Sequence, residues 1–201
     1  MTTDFDTYIA GLPKILASAS TLFRSADGRV LLVEPNYRDD GTWTLPGGTI
    51  ESDSGESPRQ GARRETLEEI GLDVPPGALL AVDWVAGARR PPLSLYLYDG
   101  GVLTERQLDA IRLQEEELDS WRLVPVDELE TYLYDNGARR IRAGLAALLA
   151  GTGPAELVNG YPAEAEATDT ADTPVPAVRA EGEHRGEPHH VDPDQGDAAA
   201  G

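Results

Sequence analysis

The sequence contains no cysteine, which excludes disulfide bonds and every metal site that depends on thiolate ligands. It also lacks an apolar run of about 18 residues, so no segment is expected to span a membrane. Basic residues are scarce: 17 lysines and arginines stand against 36 aspartates and glutamates, for a formal charge of −19. This balance argues against duplex nucleic acid or an anionic membrane as the partner, because both require a basic surface. It does not exclude a nucleotide, whose phosphates can be held through a metal ion.

Histidine is also scarce, and all three copies fall near the C-terminus, at His184, His189 and His190. The surrounding residues, 151–201, have one aromatic side chain and carry 11 acidic residues against 2 arginines, hence a charge of −9. Such a segment buries too little apolar surface to offset its ordering entropy, so we expect a disordered acidic tail. A metal-binding tail is the alternative for the histidines, but solvated side chains are the simpler interpretation.

Composition divides the chain into three parts. Residues 1–12 form an N-terminal segment that is too acidic for a signal peptide. Residues 151–201 form the tail, and residues 13–150 are the remainder, in which the strand and helix signals fall. We therefore expect one domain with extensions, in a soluble cytoplasmic protein.

Local signals mark both ends of one helix. Ser57 suits the N-cap, Pro58 suits the first helical position, and Gln60 completes a capping box. Gly71 supplies the left-handed residue that commonly follows a helix. These signals predict a helix of about three turns over Pro58–Ile70.

Three carboxylates share one face of this predicted helix. Glu65, Glu68 and Glu69 project within about 100° of one another, with Gly61 one turn earlier. We expect that face to be exposed and the opposite face to be buried; the opposite face comprises Ala62, Thr66, Leu67 and Ile70. Like charges at this spacing repel one another, and a divalent cation would reverse the sign, since Mg²⁺ and Mn²⁺ take carboxylate oxygens. Taken alone, the three glutamates favour a solvated acidic face.

The residues around the helix change that interpretation, because they resemble the signature of the Nudix hydrolases. The pattern is a glycine, a glutamate, then Arg-Glu, an aliphatic residue, any residue, Glu-Glu, any residue, glycine and an aliphatic residue. The matching positions are, in order, Gly48, Glu56, Arg64, Glu65, Glu68, Glu69, Gly71 and Leu72. The loop between the first two is two residues longer than usual, and Thr66 replaces an aliphatic residue. So many fixed positions at fixed spacing make the motif specific.

The resemblance implies an α/β fold, a Nudix-like α/β/α sandwich with a mixed β-sheet, as a Nudix hydrolase domain over residues 13–150. It also implies metal-dependent hydrolysis of a diphosphate linkage in a nucleoside diphosphate joined to another group, with Mg²⁺ or Mn²⁺ as cofactor. Glu65 and Glu69 are the implied main metal ligands, and Glu68 is a further ligand or the base that orients water. Glu56 is an additional acidic candidate for the metal, and with Arg64 it would position the other carboxylates.

Further candidates lie outside the helix. The backbone of Gly47 and Gly48 is expected to shape the phosphate end of the cleft. Arg89 and Arg90 are candidates for binding substrate phosphates, with a solvated surface pair as the simpler alternative. Nudix proteins often carry another metal-binding or base glutamate before a late strand. The candidates here are Glu116 and Glu117, and the alternative is a solvated acidic turn.

Turn and periodicity signals predict the order of elements. A hairpin is expected from strands at 15–23 and 29–34, followed by strands at 78–85, 93–98 and 121–124. Short helices are predicted at 104–113 and 126–132, and a last helix is predicted between a cap at Asn136 and Gly151. This order suits a mixed sheet covered by helices on both faces.

Two other classes of protein compete with an enzyme. A Nudix-like module that only binds a nucleotide or a protein would be expected to lose motif glutamates, which this chain keeps. A scaffold that recruits basic partners through its tail is the other. The substrate stays open among nucleoside triphosphates, ADP-ribose-like sugars and other capped diphosphates, and a homodimer is a further expectation from the family. Side chains that could stack a base, with packing as the alternative, are Tyr37, Trp43, Trp84 and Tyr96.

Overall fold

Helices and strands alternate along the part of the chain that the computed structural model describes, residues 4–87 and 90–163. The helices are Phe5–Ala10 (α1), Pro58–Ile70 (α2), Glu105–Ala110 (α3), Leu129–Tyr132 (α4) and Asp135–Ala150 (α5). The strands are Leu16–Arg24 (β1), Val30–Pro35 (β2), Gly47–Thr49 (β3), Leu79–Val85 (β4), Leu93–Val102 (β5), Leu118–Val124 (β6), Ala155–Val158 (β7) and Tyr161–Pro162 (β8).

These strands form one mixed sheet in the order β6-β2-β1-β5-β4-β7-β8, with β3 also paired to β1. Strand β1 runs antiparallel to β2 and β3 but parallel to β5. Strand β4 is antiparallel to β5 and parallel to β7. The predicted β1–β2 hairpin and the predicted mixed α/β sheet are both confirmed.

Side-chain alternation along β1 builds a core on each face of the sheet. Leu22 packs with Ala138 and Ile141 of α5, whereas the next residue, Phe23, packs with Ile70 of α2. Successive side chains of a strand point to opposite faces, so α2 and α5 cover opposite sides. The result is the expected α/β/α sandwich.

Helix α2 has the predicted bounds and caps. The side chain of Ser57 accepts a hydrogen bond from the backbone N–H of Gln60, and the side chain of Gln60 accepts one from the backbone N–H of Ser57. Gly71 follows in the left-handed region, with φ of 71°. The strong local signals at both ends explain why the helix was predictable from sequence.

The predicted faces of α2 were partly wrong. Leu67 is 48% exposed instead of buried, and Glu69 is only 5% exposed. The buried stripe runs through Ala62, Thr66, Glu69 and Ile70, which are related as i, i+4, i+7 and i+8. Leu67 lies about 100° around the helix from Thr66 and therefore points away from the sheet.

The folded domain extends beyond its predicted end at residue 150. Leu157 of β7 is 2% exposed, and β7 pairs with β4. Asn159 and Gly160, with φ of 52° and 80°, form a two-residue turn between the paired Val158 and Tyr161. An Asn-Gly turn of this kind is a strong hairpin signal, so the prediction of a tail starting at residue 151 was wrong for this hairpin. Residues 164–201, with the three histidines, lie outside the described part.

Two details at α5 also bear on the predictions. The helix begins at Asp135 with Tyr134 at the N-cap, so Asn136 is inside the helix instead of capping it. Gly151 follows the last helical residue, as predicted, and lies in the left-handed region with φ of 63°. None of the helices in the described ranges has the length and apolar character needed to cross a lipid bilayer.

Asp83 of β4 links the hairpin to α5 through a buried ion pair. The residue has no exposed surface; its carboxylate accepts from Nε of Arg140 at 2.7 Å and from the backbone N–H of Gly160 at 3.1 Å. Removing one member of a buried pair leaves the other charge uncompensated.

We therefore expect Asp83→Ala to lower the free energy of unfolding by about 3–5 kcal/mol, as measured by urea denaturation. Asp73→Ala, which removes the exposed ion pair with Arg63, is the matched control and should leave the unfolding midpoint unchanged. Equal effects of the two substitutions would contradict a stabilising role for the buried pair.

Candidate functional site

The side chain of Glu69 is buried beside Gly47, the first residue of β3. Its Oε2 accepts a hydrogen bond from the backbone N–H of Gly47 at 2.7 Å. Gly47 has φ of 144°, and a Cβ there would lie 2.3 Å from the carbonyl oxygen of Ala19, so this approach of β3 to β1 requires glycine. Burial raises the pKa of Glu69 to about 8, although the hydrogen bond from Gly47 acts to lower it.

Glu65 occupies the space that a side chain at Gly48 would fill. A Cβ on Gly48 would lie 2.6 Å from the carboxylate carbon of Glu65, whose side chain is 14% exposed. Burial raises the pKa of Glu65, although the neighbouring charge of Arg64 opposes the shift. The two glycines thus bring the backbone of β3 against the carboxylates of Glu65 and Glu69. Their role in shaping the phosphate end of a cleft stays a prediction.

Arg64 holds three carboxylates at once. It donates to both oxygens of Glu56, from Nε at 2.8 Å and from one terminal nitrogen at 3.1 Å. Its other terminal nitrogen donates to Glu65 at 2.9 Å and to Glu68 at 2.8 Å. The hydrogen bonds from Arg64 lower the pKa of Glu56 and raise that of Arg64 itself. With both oxygens of Glu56 engaged, its position favours a role in holding Arg64 over metal binding.

The prediction of an exposed carboxylate face was correct for one of its three members. Glu68 has half of its side-chain surface exposed, whereas Glu65 is largely covered and Glu69 is buried. The difference arises because Glu69 lies on the stripe of α2 that packs against the sheet. Helical periodicity alone could not reveal this rotation.

Of the two downstream glutamates, the structure brings Glu117 to the cluster. Gln114 donates from its backbone to the carbonyl oxygen of Glu69 at 3.0 Å and from its side chain to Oε1 of Glu117 at 3.1 Å. The charge of Glu117 contributes to the raised pKa of both Glu65 and Glu69. Glu116 is exposed to solvent.

Of the two arginines predicted to bind substrate phosphates, only Arg90 belongs to the described residues. Arg89 lies outside the described residues. Arg90 donates to the carbonyl oxygen of Pro91 at 2.8 Å, and its Nε is buried without a hydrogen-bond partner in the described part of the chain. A role for Arg90 in binding phosphate stays a prediction.

The aromatic candidates separate into packed and exposed side chains. Trp43 is 8% exposed and meets Tyr132 edge to face, and Tyr96 packs beside the buried Tyr98. These two serve as packing residues. Tyr37 and Trp84 are 49% and 41% exposed.

The carboxylates suit a hard divalent cation, although no three acidic or histidine side chains of the described residues already enclose an ion site. Arg64 occupies the position between Glu65 and Glu68. The charges of Glu65, Glu68 and Glu117 each contribute to the raised pKa of Glu69, so the region carries negative potential that a cation would relieve. Carboxylate oxygens are the ligands that Mg²⁺ and Mn²⁺ prefer.

Comparison with known proteins identifies the family of the domain that carries this cluster. A family model described as the NUDIX domain matches residues 14–145, which include the two glycines, α2 and Glu117. The chain belongs to the Nudix hydrolase family.

Individual proteins similar to this chain match it over a short segment or at low sequence identity. A MutT-like protein from Streptomyces ambofaciens is 48% identical over 48 residues, which span 24% of this chain and 29% of that protein. The Ap4A hydrolase of C. elegans, solved as a binary complex, superposes with a TM-score of 0.55 at 22% identity, covering 68% of this chain and 98% of that one. The NUDIX domain of Shewanella oneidensis NrtR, solved with ADP ribose, gives a TM-score of 0.57 at 19% identity, covering 73% and 99%. At these identities the two structures establish the shared fold alone.

The raised pKa of Glu69 predicts how the stability of the Nudix domain varies with pH. Between its usual pKa of 4.5 and about 8, Glu69 is deprotonated in the unfolded chain but protonated in the folded one. Stability should therefore fall as pH rises from about 5.5 to 8, lowering the Tm in excess EDTA by about 5–10 °C. Glu69→Gln, which keeps an acceptor for Gly47, should largely remove this slope. An unchanged slope in that variant would contradict the assignment.

Proposed function

We propose that this protein is a metal-dependent pyrophosphohydrolase that cleaves a diphosphate linkage in a nucleoside diphosphate joined to another group, with Mg²⁺ or Mn²⁺ as cofactor. The observation that carries the proposal is the pair Glu65 and Glu69, held against Gly47 and Gly48 with raised pKa values. Crowding of carboxylates in a half-buried place is unfavourable unless a cation joins them.

The hydrogen bonds leave one oxygen of Glu65, Glu68 and Glu69 available. Arg64 contacts Oε1 of Glu65 and Oε2 of Glu68, and Gly47 contacts Oε2 of Glu69. Among the described residues, no donor is bonded to the second oxygen of these three carboxylates. Glu65 and Glu69 would hold the ion through these oxygens, with Glu68 and Glu117 as further ligands.

A bound divalent ion would supply neutralisation of the non-bridging phosphate oxygens and polarise the attacking water. In the hydrolysis, a bond forms between the water oxygen and phosphorus while the bridging P–O bond breaks. Glu68 is the proposed acceptor of the water proton, because it is the most exposed of the motif glutamates and already lies in the cluster. Arg64, anchored on both oxygens of Glu56, keeps Glu65 and Glu68 in place.

The substrate class is supported by the chemistry named for the structural relatives. One is an Ap4A hydrolase and another was solved with ADP ribose, and both compounds contain a nucleoside joined through a diphosphate. The retained Glu65, Glu68 and Glu69 argue for turnover over binding alone. A screen of nucleoside triphosphates, ADP-ribose and dinucleoside polyphosphates, with Mg²⁺ or Mn²⁺ and with EDTA, tests the proposal by release of monophosphate or phosphate. Binding in Mg²⁺ without turnover of any compound would favour the binding module.

Glu65→Gln should lower kcat by about 100-fold or more on the substrate found in that screen, because a neutral amide is a poor metal ligand. The variant should stay folded, since its amide oxygen can still accept from Arg64. Measurements of turnover and of the circular dichroism spectrum check both statements. Full turnover in a folded variant would contradict the role of Glu65.

The adjacent glutamates offer a matched pair of variants. Glu117→Gln should lower kcat by about 10-fold or more because its charge acts on Glu65 and Glu69, whereas Glu116→Gln should leave kcat unchanged. The comparison uses the same substrate and Mg²⁺ titration for both. Equal effects, or the reverse order, would show that the wrong glutamate has been placed in the site.

A further inference from the structure

The loop after β2, residues 36–42, begins against the carboxylate cluster. The backbone N–H of Asn36 donates to the carbonyl oxygen of Glu117 at 2.9 Å, and its side chain donates to the carbonyl oxygen of Glu115 at 3.2 Å. Tyr37 follows directly. Burial raises the pKa of its hydroxyl, the charge of Arg38 opposes this shift, and the charges of Glu69 and Glu117 add to it. The loop therefore borders the proposed metal site.

The far end of the same loop is held by Asp40. Its carboxylate accepts from the backbone N–H of Thr42 at 3.0 Å, from the hydroxyl of Thr42 at 2.6 Å, and from the hydroxyl of Tyr134. These donors lower the pKa of Asp40 to about 2. The loop is thus fixed at both ends, and Tyr37 and Arg38 lie between the anchors.

Tyr37 presents an aromatic ring that the core does not use. Its exposed fraction of 49% contrasts with the packed Trp43 and Tyr96. A half-exposed ring on a fixed loop is a ready surface for stacking, because little conformational entropy is lost when a planar group binds. Trp84 is the other exposed candidate, but it lies on β4, next to β5 and β7.

Arg38 adds a cation that is not paired. Its guanidinium lies 5.9 Å from the centre of the Tyr37 ring and 3.5 Å from the hydroxyl of Thr42. In the described part of the chain it forms no ion pair within 4.0 Å, and the carboxylate of nearby Asp40 accepts its hydrogen bonds from Thr42 and Tyr134 instead. By contrast, Arg64 of the motif forms ion pairs with three carboxylates.

We propose that Tyr37 and Arg38 recognise the nucleoside end of the substrate: the Tyr37 ring stacks on the planar base and the Arg38 guanidinium binds a phosphate oxygen. The assignment rests on the proposed function and adds the residues that select a base-bearing diphosphate. The negative cluster beside the loop binds no anion by itself, so a cation at its edge is needed for the phosphate that the metal does not neutralise.

Isothermal titration in Mg²⁺ tests the proposal with two probes, α,β-methylene-ATP, which carries a base, and methylenediphosphonate, which does not. Tyr37→Leu should raise the Kd of the nucleotide by about 10-fold and leave that of the diphosphonate unchanged. Tyr37→Phe should bind both as the natural chain does, since the ring is kept. Arg38→Gln should weaken both probes. Tyr8→Leu and Arg106→Gln, which change exposed residues of α1 and α3, are the matched controls.

The proposal would be overturned by an unchanged nucleotide Kd in Tyr37→Leu, by equal weakening of both probes in that variant, or by a larger loss in Trp84→Leu. Binding of these analogues needs no turnover. If no compound is hydrolysed in the substrate screen, only the proposed function is contradicted. The role of Tyr37 is judged by the two binding constants of Tyr37→Leu, which do not depend on hydrolysis.

Discussion

The structure depends on keeping several negative side chains close together beside the start of β3. Repulsion among Glu65, Glu68 and Glu69 would push these groups apart on an isolated helix. Three arrangements oppose it here: the guanidinium of Arg64, the backbone N–H of Gly47, and burial that favours the protonated form of Glu69. The two sets of hydrogen bonds leave the second oxygen of Glu65, Glu68 and Glu69 without a donor among the described residues, and these are the oxygens that the proposed metal ion would use.

Glycine makes this arrangement sterically feasible. Strand β3 passes so close to β1 and α2 that a Cβ at Gly47 would meet Ala19, and one at Gly48 would meet Glu65. A side chain at either position would separate the helix from the strand and move the carboxylates out of reach of the backbone donor. The same two glycines are therefore needed both for the approach of β3 to β1 and for the positions of the charged groups.

The C-terminal boundary of the domain is set by interactions that are distant in sequence and that local composition does not reveal. Local composition favours disorder after residue 150, yet Leu157 is buried by β4 and α5, and Asp83 binds Gly160 across 77 residues of sequence separation. The Asn159-Gly160 dipeptide was a local signal for this hairpin. Its strand is too short to stand alone, and only the edge of an existing sheet gives it a partner.

The sequence by itself determined the helix Pro58–Ile70, the mixed α/β class and the family, because caps, turns and motif spacing are encoded by neighbouring residues. It also pointed to Gly47, Gly48, Arg64 and the motif glutamates. Only the tertiary structure decided which glutamates are buried, that Glu117 and not Glu116 joins them, and that Leu67 faces solvent. These outcomes depend on the rotation of α2 against the sheet and on contacts between segments more than 40 residues apart, such as Gln114 with Glu69. Helical periodicity fixes the relative directions of side chains along a helix, but not the side from which the rest of the chain approaches it.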